Sequence, residues 1–300
     1  MTTMRAKDPR SRVHRRKIPI LTGCLLIALL VMTSCSSGTA PEPPAAASPS
    51  SVPVPAKSGW PSVIAAIGHS GLTGYDSGES GGDTVANSWA TGENPDVDSV
   101  YLRILAENPE IEGNAINVAV NGSNVNDLIR QANNISKLTP QPQLVIVQSI
   151  DNDITCDGTD KEHLPVYRAG LVKVMDTLTT GLPEARVFFV SQWATVAMYD
   201  AVVMSIDPGH LAGTGPCDTV DPSTLKIVPA NEATLQSIVD QYFATVVDVC
   251  SAYVNCETDQ NAMQSFDLAA DDLSPDLDHL SISGHAKEAA IAWDVLYPGK

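Results

Sequence analysis

Ser70 stands in a glycine-rich segment that is typical of a serine nucleophile. Residues 68–74 have the sequence GHSGLTG, and glycines allow a tight turn that leaves a serine hydroxyl exposed. Most serines in such turns are ordinary turn residues or helix caps. Leu72 also occupies the place of the second glycine of a Gly-x-Ser-x-Gly elbow. Other residues must therefore decide whether Ser70 does chemistry.

His279 is the candidate base for this serine. A serine hydroxyl is a poor nucleophile near neutral pH, so it needs a base within hydrogen-bond reach. His279 closes the segment Asp276-Leu277-Asp278-His279 and lies shortly before a capped helix start. A nearby carboxylate can hold the imidazole in one tautomer and stabilise its protonated form. Both Asp276 and Asp278 are candidates for that carboxylate.

Two further polar segments follow apolar runs of the chain. Gly122 and Asn124 come after residues 116–120, and Asn152 comes after residues 144–147. Each has an ordinary interpretation as a turn residue, a helix cap or a loop residue. In an open parallel sheet, however, ligand sites lie outside the carboxyl ends of the strands. We therefore expect both segments to lie near the glycine-rich turn.

Four β-prone apolar runs alternate with amphipathic helical patterns. Continuous apolar runs are typical of strands that are covered on both faces. Strands that alternate with helices predict one three-layer α/β/α domain with a central parallel sheet. The predicted strands are residues 63–67, 116–120, 144–147 and 187–190, and the predicted helices are residues 98–106, 125–135, 165–178, 231–249 and 283–293.

Residues 198–229 interrupt this alternation with several glycines and prolines. They are predicted to form a long irregular insertion. Such a loop in a compact domain is often a functional lid or wall. A variable surface excursion held by Cys217 is the alternative.

Together these segments resemble the SGNH (GDSL-like) hydrolase family, over nearly the whole domain from residue 63 onward. The blocks occur in the family's order, each at a predicted strand end or before the last helix. His69 replaces the usual aspartate of the first block, and Ile150 replaces the customary glycine of the third. The matching segments are Gly68-His69-Ser70, Gly122, Asn152-Asp153 and Asp276-Leu277-Asp278-His279.

The resemblance implies a flavodoxin-like fold and a serine esterase that works without a cofactor. It implies a triad of Ser70, His279 and Asp276, and it prefers Asp276 to Asp278. It also implies that an oxyanion hole is formed by the backbone N–H groups of Ser70 and Gly122 and the side-chain amide of Asn152. The expected substrate is a small-molecule, polysaccharide or lipid ester.

Two alternatives remain open at this point. An acyltransferase or a carbohydrate deacetylase would use the same serine, because only the acceptor or the substrate differs. A catalytically silent cell-envelope binding protein is suggested by the divergent His69 and Ile150. A binding module has no need of the full set of matching residues, which favours the enzyme.

The other histidines and the acidic residues carry little chemistry. An ordinary hydrogen-bonded role is expected for His69, and surface or capping roles are expected for His163, His210 and His285. Four aspartates between residues 151 and 160 invite a calcium interpretation, but their spacing does not match an EF-hand loop. No metal is expected.

Four cysteines lie downstream of residue 35. An even count outside the cytoplasm favours disulfides. Cys250 and Cys256 would close a small local loop, which leaves Cys156 to pair with Cys217. A zinc site is the weaker interpretation, because the domain has no Cys-x-x-Cys pair.

The charge of the chain argues against nucleic acid as a partner. The formal net charge is −17, although residues 1–34 hold seven of the eighteen basic residues and only one of the 35 acidic ones. The remaining chain is therefore strongly acidic. Such a surface repels phosphate backbones and offers no basic stripe.

The first residues have the pattern of an export signal. Seven basic residues precede the apolar run 18–32, which ends in Met32-Thr33-Ser34-Cys35. Small residues before a cysteine resemble a bacterial lipoprotein signal, and an ordinary cleaved signal or an uncleaved anchor is the alternative. We predict a signal peptide over residues 1–34, a Pro/Ala/Ser-rich tether over 35–58 and a hydrolase domain over 59–300. The protein would then be exported and either anchored to the outer face of the membrane or secreted.

We expect Cys35 to carry lipid as the first residue of the mature protein. Mass spectrometry of the amino-terminal peptide should show an acylated cysteine, and Cys35→Ala should release the protein from the membrane fraction. An unmodified amino terminus elsewhere in the chain, with wild-type protein free in the medium, would contradict this expectation.

Overall fold

The computed structural model describes residues 59–213, 215 and 217–300. The predicted signal peptide, the tether and Cys35 lie outside these residues. Within the described part of the chain, no helix has both the length and the apolar character needed to cross a membrane.

Among the described residues, five of seven strands form one parallel sheet in the order β2-β1-β3-β4-β7, and β5 and β6 form a separate antiparallel pair. The strands are β1 (Ile64–Ile67), β2 (Ala115–Asn117), β3 (Leu144–Gln148), β4 (Arg186–Val190), β5 (Val220–Asp221), β6 (Lys226–Ile227) and β7 (Cys256–Thr258). The helices are α1 (Ser70–Thr73), α2 (Val100–Glu107), α3 (Val125–Ile135), α4 (Asp160–Gly181), α5 (Val196–Ile206), α6 (Pro229–Cys250) and α7 (Ile282–Leu296).

Helices cover both faces of the sheet. Successive strand side chains point to opposite faces, so Ala65 and Ile67 of β1 pack with α3, α4 and α6, whereas Ile64 and Ala66 pack with α2 and α7. Burial on both sides explains why the strands are continuous apolar runs. The prediction of a three-layer α/β domain with a central parallel sheet is confirmed.

The edge strand β7 is absent from the predicted strands. It pairs with β4 through only three residues, Cys256, Glu257 and Thr258. An edge strand is short and partly exposed, so these residues do not form the apolar run that marks the other strands. The pattern of hydrophobicity therefore carries no signal for it.

The prediction that residues 198–229 are irregular is wrong in part. Helix α5 occupies the first part of this region, and the β5–β6 hairpin lies in the second. The side chain of Thr195 caps α5 by accepting a hydrogen bond from the backbone N–H of Met198. The helix has the sequence VAMYDAVVMSI, whose single charged residue leaves no amphipathic period to detect.

Both expected disulfides are present. The Cα atoms of Cys156 and Cys217 are 5.4 Å apart, and those of Cys250 and Cys256 are 5.2 Å apart. Both separations fall in the range that the bond requires. The first disulfide ties the segment after β3 to the segment between α5 and β5.

Candidate active site

Ser70 is the first residue of α1, directly after the turn that ends β1. Gly68 makes this turn with a φ of 155°, and a Cβ there would lie 2.5 Å from the backbone oxygen of Gln148. Only glycine fits such a position. The turn places Ser70 at the carboxyl edge of the sheet, where it is 7 % exposed and therefore more covered than the sequence predicts. Its hydroxyl makes no hydrogen bond to a described residue.

His69 caps α1 and explains how a histidine can replace the usual aspartate. Its Nδ1 accepts a hydrogen bond of 3.2 Å from the backbone N–H of Gly71. A carboxylate at the N-cap of a helix makes the same kind of bond. Because Nδ1 is the acceptor, the proton of the neutral ring is on Nε2, which lies 3.6 Å from Oδ2 of Asp151. The expectation of an ordinary hydrogen-bonded role for His69 agrees with this geometry.

His279 and Asp276 form a closely paired dyad before α7. Nδ1 of His279 and Oδ2 of Asp276 are 2.7 Å apart, and Oδ1 of Asp276 also accepts the backbone N–H of His279. The rival carboxylate, Asp278, contacts Nε2 of His210 at 2.9 Å and the hydroxyl of Tyr199 instead. The structure therefore pairs His279 with Asp276, and Nε2 of His279 remains the nitrogen that can act as a base.

Tyr75 lies between the His279–Asp276 dyad and the turn Gly68-His69-Ser70, which we call the nucleophile turn after its candidate nucleophile. Its backbone N–H donates to the carbonyl oxygen of Ser70, and its ring centroid lies 4.8 Å from that of His279. No hydrogen bond joins the Ser70 hydroxyl to His279 in the described residues. Catalytic hydrogen bonds are often long without substrate and tighten in the reacting complex.

Gln131 of α3 connects the nucleophile turn to the segment that contains Gly122. Its Oε1 accepts the backbone N–H of Gly68 at 2.7 Å, and its Nε2 donates to the carbonyl of Gly68 and to the Ser123 hydroxyl, both at 3.0 Å. The side chain is buried, so these bonds are shielded from water. Gly122 lies next to Ser123 with a φ of 76°, in the left-handed region that favours glycine.

Asp153 connects the same segment to Asn152. Both of its carboxylate oxygens lie within 3.1 Å of the backbone nitrogen of Val125, the first residue of α3. A negative charge there is favoured by the helix dipole, but burial outweighs it and raises the pKa of Asp153 to about 6. This bond holds the 3₁₀ turn Asp151–Asp153 beside the start of α3.

Ile150 shows why a glycine is customary before this turn. Its φ is 103°, a conformation that is rare and strained for a β-branched residue. Its side chain is buried in the core between the sheet and α3, α4 and α6. Apolar burial offsets the backbone strain, so the turn keeps its shape with isoleucine.

The three expected oxyanion donors have no acceptor within the described protein. Ser70 donates no backbone bond because it opens a helix. The N–H of Gly122 and the side-chain amide of Asn152 are exposed and unpaired among the described residues. All three belong to segments at the carboxyl edge of the sheet. Donors of this kind can bind a developing oxyanion without first breaking a bond within the protein.

His285 does not occupy the surface or capping position that the sequence predicts. It is 1 % exposed in α7, and burial lowers the pKa of its imidazole to about 3. Its Nδ1 lies 3.9 Å from Oε2 of Glu288, whose pKa is raised by burial and whose Oε1 accepts a hydrogen bond from Gln148. Nothing in the local sequence distinguishes these residues from exposed helix positions.

His163 agrees with its expected surface role. His163 lies at the surface of α4, 3.3 Å from the Thr159 hydroxyl. In the described part of the chain, no three His, Cys, Asp or Glu side chains are arranged to hold a metal ion. Sequence reasoning missed Gln131 as a site residue, and the only signal for it is a polar residue on the apolar face of α3.

Comparisons with family models and with curated proteins give no match to this chain. Solved structures of similar shape include an acetylxylan esterase from Geobacillus stearothermophilus (TM-score 0.46, 18 % identity, 78 % of this chain and 93 % of that one). They also include a family 3 carbohydrate esterase from Clostridium thermocellum (0.43, 17 %, 77 % and 92 %) and a putative GDSL-like lipase from Parabacteroides merdae (0.45, 15 %, 78 % and 94 %). All three TM-scores lie below 0.5, so the function of this chain is inferred from its own site.

Replacing Gln131 should weaken the fold and the site together. Gln131→Ala leaves the buried N–H of Gly68 without an acceptor, and we expect a loss of about 2–4 kcal/mol in the free energy of unfolding. Urea denaturation would measure it. Asn133→Ala, on the exposed face of the same helix, is the matched control and should change stability by less than about 0.5 kcal/mol. Equal effects of the two substitutions would contradict the role given to Gln131.

Asp153→Asn should change the pH dependence of stability. The folded-state pKa of about 6 exceeds the ordinary value of 3.8, so the buried carboxylate lowers stability as the pH rises through this interval. Asparagine keeps an acceptor for Val125 and cannot ionise. The stability of the variant relative to wild type should therefore increase by about 1–2 kcal/mol between pH 3.5 and pH 7, allowing for partial exposure. Parallel urea curves for both proteins test this, and a pH-independent difference would refute it.

Proposed function

We propose that this chain is an exported serine esterase of the SGNH hydrolase type, which hydrolyses carboxylic esters through Ser70, His279 and Asp276. The observation that carries the proposal is the 2.7 Å contact between His279 and Asp276. The ring of His279 lies next to the ring of Tyr75, and the backbone N–H of Tyr75 donates a hydrogen bond to the carbonyl oxygen of Ser70. A histidine oriented by a carboxylate next to a serine is the arrangement that activates a hydroxyl nucleophile.

The reaction follows from the positions of these groups. Nε2 of His279 takes the proton of the Ser70 hydroxyl as its oxygen forms a bond to the ester carbonyl carbon. The C–O bond to the alcohol then breaks, and the alcohol leaves with the proton from His279. A water molecule, deprotonated by the same nitrogen, then attacks the acyl carbon. The bond from that carbon to the Ser70 oxygen breaks, this oxygen takes the proton from His279, and the acid is released. Asp276 stabilises the imidazolium that forms in both halves of the reaction.

The unpaired donors would stabilise the tetrahedral intermediates. Negative charge develops on the former carbonyl oxygen, which the backbone N–H groups of Ser70 and Gly122 and the amide of Asn152 are proposed to bind. One such donor is typically worth about 3–4 kcal/mol of transition-state stabilisation. Their lack of partners within the described protein supports this role, because a donor already bonded elsewhere would have to exchange partners.

His69 is not proposed as a base, although it adjoins the nucleophile. Its Nδ1 accepts a hydrogen bond from Gly71, and its protonated Nε2 faces Asp151. Nδ1 is therefore occupied, and Nε2, which carries the ring proton and makes no hydrogen bond to a described residue, cannot accept a further proton. The divergence at His69 and Ile150, which suggested a silent binding protein, leaves the proposed nucleophile, base and donors in place.

The place of action is proposed to be outside the cytoplasm. The two disulfides are typical of oxidising compartments, and they agree with the export signal predicted for residues 1–34. An acyltransferase or a carbohydrate deacetylase would pass through the same acyl-enzyme, and no observation favours either over hydrolysis of a simple ester.

Ser70→Ala should abolish ester hydrolysis and leave the fold intact. The Ser70 hydroxyl has no hydrogen-bond partner among the described residues, so its removal should cost less than about 1 kcal/mol. A fluorophosphonate probe should label wild-type protein on Ser70, as shown by peptide mass spectrometry, and leave Ser70→Ala unlabelled.

Ser223→Ala is the control, because Ser223 lies in the exposed turn between β5 and β6. Its labelling and turnover of p-nitrophenyl esters should equal those of wild type. Absence of labelling and turnover in folded wild-type protein would favour the silent binding protein instead.

A further inference from the structure

A cavity of about 300 Å³ opens beside the proposed active site. Asp151, the neighbour of Asn152, and Asp278, the neighbour of His279, are part of its lining. Ile154 and Cys156 continue the wall on the Asn152 side, and the first residues of α5 and one face of α6 complete it. The cavity therefore adjoins the two segments that carry the proposed donor Asn152 and the proposed base His279.

The side chains that give the cavity its character are apolar. Trp193 lines it from the segment before α5, Val196 and Tyr199 line it from the start of α5, and Leu235 and Val239 line it from α6. Trp193 and Tyr199 also pack edge to face, with ring centroids 5.8 Å apart, which fixes the shape of this wall. A rigid apolar cavity favours a ligand part that has no hydrogen-bonding groups.

Most polar side chains of the wall are already bonded within the protein, whereas the Asp151 carboxylate, 3.6 Å from Nε2 of His69, makes no hydrogen bond to a described residue. Gln236 accepts the backbone N–H of Val196 at 2.9 Å, Thr195 accepts that of Met198, and the Tyr199 hydroxyl contacts the carbonyl of Leu277 and the Asp278 carboxylate. Gln192 contributes one buried oxygen without a partner. A sugar ring would leave most of its hydroxyl groups without partners in such a cavity, and this costs affinity.

We propose that this cavity, named the acyl cavity, binds the acyl chain of a medium-length aliphatic ester, so that the enzyme prefers such esters to acetates. The proposal rests on the proposed esterase function. Ile154 and Cys156 follow Asn152 closely in sequence, so the cavity adjoins the segment of the proposed donor for the carbonyl oxygen. We assign the cavity to the acyl chain because this chain is attached to that carbonyl group. A methylene group is similar in size to a water molecule, which occupies about 30 Å³ in the liquid. The cavity therefore has room for a chain of about eight carbons.

The proposal predicts a rising dependence of kcat/KM on acyl length. Each methylene group that enters an apolar site contributes enough to raise kcat/KM about fourfold. We expect p-nitrophenyl octanoate to be hydrolysed with a kcat/KM at least about 100-fold above that of p-nitrophenyl acetate, with butyrate and hexanoate between them. A series that falls steadily from acetate would overturn the proposal.

Substitutions in the cavity wall test whether the cavity causes the preference for long acyl chains. Leu235→Trp should fill the cavity and lower the octanoate-to-acetate ratio of kcat/KM at least tenfold. Leu235 is half-buried, and Leu235→Gln replaces it with a polar side chain of similar size. This variant should lower the same ratio about fourfold or more, and it tests the proposal if the tryptophan variant does not fold. Val247→Trp, at an exposed position of the same helix, is the matched control and should leave the ratio unchanged. A ratio unaffected by both Leu235 substitutions in folded protein would overturn the proposal.

A second series separates the two ends of the ester. If the cavity binds the alcohol, alkyl acetates from ethyl to hexyl should show the chain-length preference and the acyl series should not, which would overturn the assignment to the acyl chain. Failure of the esterase function is distinguishable from both results. In that case no ester is cleaved by any of the proteins and no probe labels Ser70, so both proposals fall together.

Discussion

The paired hydrogen bonds between the side-chain amide of Gln131 and the backbone of Gly68 hold the site in place. Gly68 has an extreme φ and no room for a side chain, so a turn of this shape needs partners for both of its polar backbone groups. Gln131 supplies both and also reaches the Ser123 hydroxyl. Because Gly68 precedes His69 and Ser70, the orientation of the proposed nucleophile Ser70 depends on a helix that begins more than fifty residues later.

Asp153, in the turn that follows β3, connects a third strand end to the same helix. Its carboxylate is bonded to the first residue of α3, and the same helix carries Gln131. The ends of β1, β2 and β3 are thus joined through one helix, while the proposed oxyanion donors have no partner among the described residues. A site can be preorganised in this way, because the scaffold makes its own bonds and leaves the functional groups free for the substrate.

His69 and Ile150, which differ from the pattern of the family that the sequence resembles, are compensated by different physical effects. His69 keeps an acceptor where the aspartate would have one, so the helix cap survives the exchange. Ile150 adopts a backbone conformation that is strained for isoleucine but not for glycine. The burial of its side chain in the core offsets this strain. The proposed specificity for the acyl chain depends on other residues, in and near α5 and α6. Helix α5 lines the acyl cavity and lies in the region that the sequence predicts to be irregular.

The sequence by itself determined the central strands, most of the helices, both cysteine pairings and the segments that lie at the site. These features depend on local burial and on short spacings, which leave a period or a motif in the chain. Tertiary structure decided that β7 closes the sheet, that His285 is buried and that Gln131 holds the turn before Ser70. Each of these outcomes depends on contact with residues distant in the chain. A polar side chain has the same letter whether it faces water or a buried partner, so only the folded arrangement distinguishes the two.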